Sequence, residues 1–177
     1  MKRFWLCFVH SFHRFMSEIL TKKILVLGSR WSGKSLLIKR LDDLCSSSSS
    51  TKNSNEECTY TTTATIGKIY TPIKYKRNHT FELHELGGAL GCLWKSIYSN
   101  TDFNKIIYVI DSTQPWSIAY SLEQLKEITE QITIKSKNIL LIFNKNVNTI
   151  WKDDIEIIET NARLGTNLSS VLDWLIK

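Results

Sequence analysis

The stretch GSRWSGKS, residues 28–35, constrains this chain more than any other. It has the form G-x-x-x-x-G-K-S. It follows a short apolar run with β character, KILVLGS at 23–29, and leads into the helical pattern SGKSLLIKRLDDL. A strand that passes through such a loop into a helix points successive backbone N–H groups and a helix N-terminus at one spot, which suits an anionic phosphate. Gly28 and Gly33 let the backbone curl, and Ser32 lies among the phosphate-facing residues. Lys34 would reach the β- and γ-phosphates, and Ser35 would offer its hydroxyl to Mg²⁺. Leu36, Leu37, Ile38 and Leu41 mark the inner side of the helix. Trp31 is unusual in such a loop, where it would either shield the phosphates or cap the fold.

The rest of the chain supplies the sheet that this loop requires. TIGKIYTPIKYK and TFELHEL, separated by KRNH, read as an antiparallel hairpin. Pro72 puts its first strand at a sheet edge, where a missing N–H is tolerated. KIIYVID (105–111) and NILLIFN (138–144) are buried strands, and IEIIE is a shorter one. IAYSLEQLKEITEQI is an amphipathic helix, and NLSSVLDWLIK is a terminal helix entered through Thr166 or Asn167. Strands alternating with helices indicate an α/β fold with a mostly parallel sheet and helices on both faces. CSSSSSTKNSNEEC (45–58) is a polar, low-complexity segment read as a loop. A chain of 177 residues fits one such domain, here residues 23–177, with residues 1–22 as an extension.

Charge is uneven. Residues 1–40 hold nine Lys/Arg against one acid, and residues 41–177 hold fourteen against sixteen. The basic excess suits a phosphate ligand or an anionic membrane surface, and its confinement to one end argues against a broad nucleic-acid face. In MKRFWLCFVHSFHRFMSEIL nearly all large apolar residues fall on one side of a helix. Such a helix could pack on the domain, lie in a membrane interface as a peripheral contact, or be a targeting segment or a mis-assigned start before Met16. Lys2 excludes N-myristoylation. Cys7, Cys45, Cys58 and Cys92 form no C-x-x-C pair, so reduced thiols and a cytoplasmic location are expected. Zinc binding by Cys45 and Cys58 would lack a second ligand pair.

HELGG (84–88) ends a strand with an acid and two glycines. Glu85 would sit near Mg²⁺, directly or through water, and the Gly88 N–H could bond a γ-phosphate. Thr65, in ATIG, is placed to close over the metal with its hydroxyl. With GSRWSGKS, TIGKIYT and HELGG, the runs LWKSIYSN, YVIDSTQP, FNK and NARLG complete a set that resembles the ADP-ribosylation-factor family of small GTPases over residues 23–177. That resemblance implies a P-loop NTPase fold with a six-stranded sheet of order 2-3-1-4-5-6. It also implies a GTP/GDP cycle with Mg²⁺, in which the segments around Thr65 and Gly88 become ordered and are read by effector and regulator proteins.

Several residues depart from the family pattern. Ala89 stands where the family carries a water-positioning Gln, so unaided hydrolysis should be very slow, and no catalytic side chain replaces it. His84 falls on the strand face opposite Glu85 and is read as a satisfied core or surface histidine. Lys68 replaces a Phe that partners recognise. In FNKNVN (143–148), Asn144 would bond the base and its own loop, and the Lys145 stem would lie along the ring. Val147, however, lacks the carboxylate that selects guanine. The Ala162 N–H in NARLG would face guanine O6, and Arg163 could stack on the base. Residues 145–154 are also too few for the family's fourth helix before IEIIE. A segment missing from the gene model, or true divergence, would each account for both faults.

The expected activity is therefore that of a guanine-nucleotide switch with slow or absent hydrolysis, acting by family analogy in membrane or ciliary traffic. Two alternatives remain at this level. One is a nucleotide-independent pseudo-GTPase module. The other is a P-loop kinase or ATPase, which would need an acceptor site or an arginine-rich lid that the sequence does not display.

Overall fold

The structure is a computed structural model, and it describes residues 21–46, 59–76, 79–98, 102–131, 134–145 and 155–177. The expected opening helix at 1–20, most of the Ser-rich loop, and Val147 with the rest of 146–154 lie outside the described residues.

Six strands form one sheet: β1 (Lys22–Leu27), β2 (Lys68–Tyr75), β3 (His79–Leu86), β4 (Lys105–Asp111), β5 (Ile139–Asn144) and β6 (Glu156–Thr160). Their order is β2-β3-β1-β4-β5-β6, as the resemblance implied. β2 and β3 pair antiparallel; the β3–β1, β1–β4, β4–β5 and β5–β6 pairs are parallel. Pro72 lies on β2, which is one edge of the sheet, opposite Glu82.

Among the described residues four α-helices cover the sheet: α1 (Lys34–Ser46), α2 (Gly91–Tyr98), α3 (Pro115–Gln131) and α4 (Leu168–Ile176). Each central strand feeds two cores, because successive side chains point to opposite faces. Ile24, Val26, Ile107, Val109, Leu140 and Ile142 pack with Leu37, Ile38 and Leu41 of α1 and with Val171, Leu172 and Trp174 of α4. Leu25, Leu27, Tyr108, Ile110, Leu141 and Phe143 pack with Trp94 of α2 and with Leu125 and Ile128 of α3. Continuous apolar runs on the strands follow from this two-sided burial.

The structure corrects several boundaries. Cys45 and Ser46 belong to the last turn of α1, not to the polar loop. Leu36 is only partly buried, while Leu37, Ile38 and Leu41 form the inner face as expected. α3 starts at Pro115, ahead of Ile118. A proline at the first helical position costs no hydrogen bond, so the signal was present in TQPW. A short 3₁₀ turn, Gly88–Leu90, and α2 follow the two glycines, where sequence reasoning assigned no element. Asn167 opens α4 with φ 57° but does not cap it with its side chain, which instead donates to Glu159 O at 2.9 Å.

At the end of the sheet where β1 and β4 begin, two lysines close α4. Lys105 Nζ donates to Trp174 O at 2.6 Å, and Lys22 Nζ donates to Leu175 O and Ile176 O at 3.4 Å. The Lys105 ammonium also lies 4.2 Å from the centre of the Trp174 ring. These cations satisfy carbonyls of the last turn of α4 and oppose the helix dipole. Replacing Lys105 by Met keeps the apolar stem and removes the cap. Urea denaturation of Lys105→Met should show a loss of about 1–3 kcal/mol, the cost of buried acceptors left unpaired. Unchanged stability would mean that Lys22 or water takes over those carbonyls.

Candidate functional site

The loop between β1 and α1 turns back on its own lysine. Lys34 Nζ donates to Gly28 O and Ser29 O, each at 2.9 Å, and approaches Ser32 Oγ at 3.5 Å. The side chain is almost fully buried. Burial pushes its pKa down to about 8, against the raising influence of the Glu85 carboxylate. Gly33 is required by contact: with φ 92°, a β-carbon there would lie 2.3 Å from Asn144 Nδ2. The loop that would hold phosphates is thus pressed against the residue expected to hold a base.

Three oxygen donors converge beside Lys34. Ser35 Oγ donates to Glu85 Oε1 at 2.6 Å, Thr65 Oγ1 donates to the same oxygen at 2.8 Å, and the two hydroxyls lie 3.1 Å apart. These are the residues singled out for the metal, and they come from α1, from the segment before β2 and from β3. Two hydroxyls and one carboxylate form a hard-oxygen set that fits Mg²⁺ when phosphate oxygens complete it.

Lys34, Ser35, Thr65, Glu85, Gly88 and Ala89 line one cleft of about 300 Å³, together with Arg30 and Trp31. Gly88 packs on the loop itself, since a β-carbon there would be 2.5 Å from Arg30 N. Its neighbour Gly87 is held from two sides. Its N–H donates to Gly67 O at 2.9 Å, and its carbonyl accepts from Trp94 Nε1 at 3.1 Å. The run LWKSIYSN, part of the family resemblance, does not by itself assign this role to Trp94. A buried indole needs an acceptor, which was the available signal.

The base corner centres on Asn144, which is 1% exposed. Its Nδ2 donates to Ser32 O at 2.8 Å, and its Oδ1 accepts from Ala162 N at 3.0 Å and from Thr160 Oγ1 at 3.3 Å. Both lone pairs are filled, and among the described residues one N–H of the amide has no acceptor. The Ala162 N–H, expected to face guanine O6, is engaged with Asn144, so a base oxygen there would have to share it. Lys145 adopts φ 83°, its N–H donates to Thr160 O at 3.0 Å, and its ammonium pairs with Asp111. Burial works to raise the Asp111 pKa, but hydrogen bonds from Lys145 and Thr113 hold it below the ordinary value. Arg163 is exposed on the following loop.

Asn161 organises that loop and was also missed. Its Oδ1 accepts from Arg163 N and Leu164 N, both at 3.1 Å, and its Nδ2 donates to Lys145 O at 3.1 Å. An Asn that bonds backbone groups two and three residues on is an Asx turn, legible in NARLG.

His84 and Glu85 diverge, as strand alternation requires. His84 lies between Tyr70 and Phe103, with Nε2 3.3 Å from Glu82 Oε2. The expectation of a satisfied histidine needs correction: Nδ1 is buried without a partner among the described residues. Burial lowers its pKa, outweighing Glu82.

The sequence model of the ADP-ribosylation factor family matches residues 8–177. The chain is 31% identical to human ADP-ribosylation factor-like protein 16 over 170 residues, covering 85% of this chain and 83% of the relative. It is 26% identical to Caenorhabditis elegans ADP-ribosylation factor-like protein 1 over 185 residues, covering 94% of each. In fold it is similar to the Arl6 BBS3 small GTPase from Trypanosoma brucei, solved with the bound nucleotide analogue GppNp. The TM-score is 0.63 at 18% identity, with 88% of this chain and 95% of that one covered.

The lowered Lys34 pKa predicts a pH dependence. Without ligand, Lys34 loses its proton above about pH 8, whereas a bound phosphate stabilises the ammonium. Binding above that pH must therefore take up a proton. Affinity for a labelled nucleoside diphosphate, measured by fluorescence titration, should be flat near neutrality. Between about pH 8 and pH 9 it should fall, by up to ~10-fold per pH unit. A flat profile through that window would show that Lys34 does not meet the phosphates.

Proposed function

The chain belongs to the ADP-ribosylation factor family, and on that premise we propose a switch that binds GTP and GDP with Mg²⁺ and hydrolyses GTP slowly or not at all by itself. One observation carries this reading. Ser35, Thr65 and Glu85 bring the phosphate loop, the segment before β2 and the end of β3 onto one shared oxygen. A cation seated among these donors with a triphosphate would join the two mobile parts of a switch to the ligand. When bound, Mg²⁺ would neutralise phosphate charge. Lys34 would hold phosphate oxygens in place of the Gly28 and Ser29 carbonyls, and the free N–H of Asn144 would orient the base.

Slow hydrolysis follows from Ala89, which lines the cleft with a methyl group that can neither orient water nor stabilise transition-state charge. Effector and regulator proteins would read the segments around Thr65 and Gly88. Lys68, exposed and 5.6 Å from the centre of the Phe103 ring, argues against partners that need an apolar anchor at that position. A cytoplasmic protein acting in membrane or ciliary traffic, with peripheral contact through residues 1–20, is the reading that family kinship supports.

A second reading, a nucleotide-independent interaction module, is favoured by a specific feature. Lys34 and Asn144 are each hydrogen-bonded to carbonyls of the loop between β1 and α1. Competition binding separates the two. Labelled GTP in Mg²⁺ should bind the purified protein, be displaced by GTP and GDP but not by ATP, and be released by EDTA. Thr65→Ala or Glu85→Gln should weaken the Mg²⁺ dependence. No binding would leave the interaction module, and equal displacement by ATP would end the guanine assignment.

A further inference from the structure

Trp31 sits in the phosphate loop with φ 67° and is 63% exposed. A bulky residue in the left-handed region is a true outlier, and such outliers persist where the surroundings use them. Core packing does not explain this one, because the indole is mostly in solvent. The ring contact it makes is with Arg30, whose guanidinium carbon lies 5.0 Å from the ring centre. Stacking on an indole orients a planar guanidinium while leaving its N–H fork open. Among the described residues, Arg30 has no carboxylate partner.

The position of this shelf is what gives it meaning. Arg30 and Trp31 line the same cleft as Lys34, Ser35, Thr65, Gly88 and Ala89. Gly88 seats directly on the Ser29–Arg30 peptide, with an added β-carbon 2.6 Å from Ser29 C and 2.5 Å from Arg30 N. Arg30 therefore stands at the end of the cleft where Gly88 and Ala89 meet the loop, and that is the end a third phosphate would occupy. Lys34, the other cation lining the cleft, is already engaged by the loop carbonyls.

We propose that Arg30, held on the Trp31 shelf, is a terminal-phosphate ligand that makes this chain prefer a nucleoside triphosphate over the diphosphate. The inference rests on the nucleotide-switch reading above and adds a specificity residue to it. The guanidinium contributes charge-assisted hydrogen bonds to oxygens that only the triphosphate carries, so its contribution separates GTP from GDP. No bond is made or broken in this role.

The test compares dissociation constants of the full chain for GDP and for GppNp, both with Mg²⁺. Arg30→Ala should weaken GppNp by about 10-fold or more while changing GDP by less than about 3-fold. Arg30→Lys should recover part of the loss, because it keeps the charge and loses the fork. Trp31→Ala should weaken GppNp in the same direction by a smaller factor. GDP affinity reports whether each variant has kept its fold, and Arg30→Gln replaces Arg30→Ala if that variant does not fold. Equal losses for both nucleotides, or no loss for either, would overturn the proposal while leaving the switch reading intact. Failure of the unaltered chain to bind either nucleotide would overturn the switch reading itself.

Discussion

The site depends on one buried amide. Asn144 ends β5, donates to the Ser32 carbonyl of the phosphate loop, and accepts from Thr160 at the end of β6 and from Ala162 just beyond it. Three segments far apart in sequence are fixed against each other by a single side chain with little freedom left. Gly33 must be glycine because that amide occupies the space of a β-carbon. The geometry of the phosphate loop and that of the base corner are therefore one constraint. Removing the amide would leave the buried Ser32 carbonyl and Ala162 N–H unpaired, each a larger loss than the net value of one hydrogen bond.

From that tie the rest of the cleft follows by strand parity. Ser32 precedes Lys34, and the helix that begins at Lys34 places the Ser35 hydroxyl toward the end of β3. There Glu85 and His84 point to opposite sides. Glu85 goes to the hydroxyls of Ser35 and Thr65, and His84 goes to Tyr70 and Phe103. A one-residue slip of β3 would exchange them, placing an imidazole in the oxygen cluster and a carboxylate among aromatic rings. Eight paired positions between β2 and β3 hold the register against this.

This parity is why so much of the architecture was legible in the sequence. The runs KILVL, KIIYVID and NILLIF are apolar on both faces, and only a sheet covered on both sides buries them. The strand order followed from kinship, since apolar runs do not say which neighbour they take. What stayed hidden depends on contacts between distant residues. Nothing in GCLWKSIY announces that Trp94 will hold the Gly87 carbonyl, and nothing near Asn144 announces that Ala162 will spend its N–H there. The buried, unpartnered Nδ1 of His84 could not be foreseen either, because alternation gives a direction and not a partner. The Asx turn at Asn161 and the helix start at Pro115 carried local signals and were readable in principle.

Two buried lysines show how similar chemistry serves different ends. In both Lys34 and Lys105, burial depresses the pKa to about 8 and backbone carbonyls receive the ammonium. The carbonyls around Lys105 end a helix, where Lys22 is the neighbouring donor, so that pair of contacts closes the fold. The carbonyls around Lys34 belong to the loop between β1 and α1, and on the nucleotide-switch reading a phosphate oxygen would compete with them for the same ammonium. One cation is already matched to its permanent partners. On the nucleotide-switch reading, the other would exchange neutral carbonyls for charged phosphate oxygens, which are the stronger acceptors. The loop carbonyls around Lys34 spare the fold the cost of a bare buried charge.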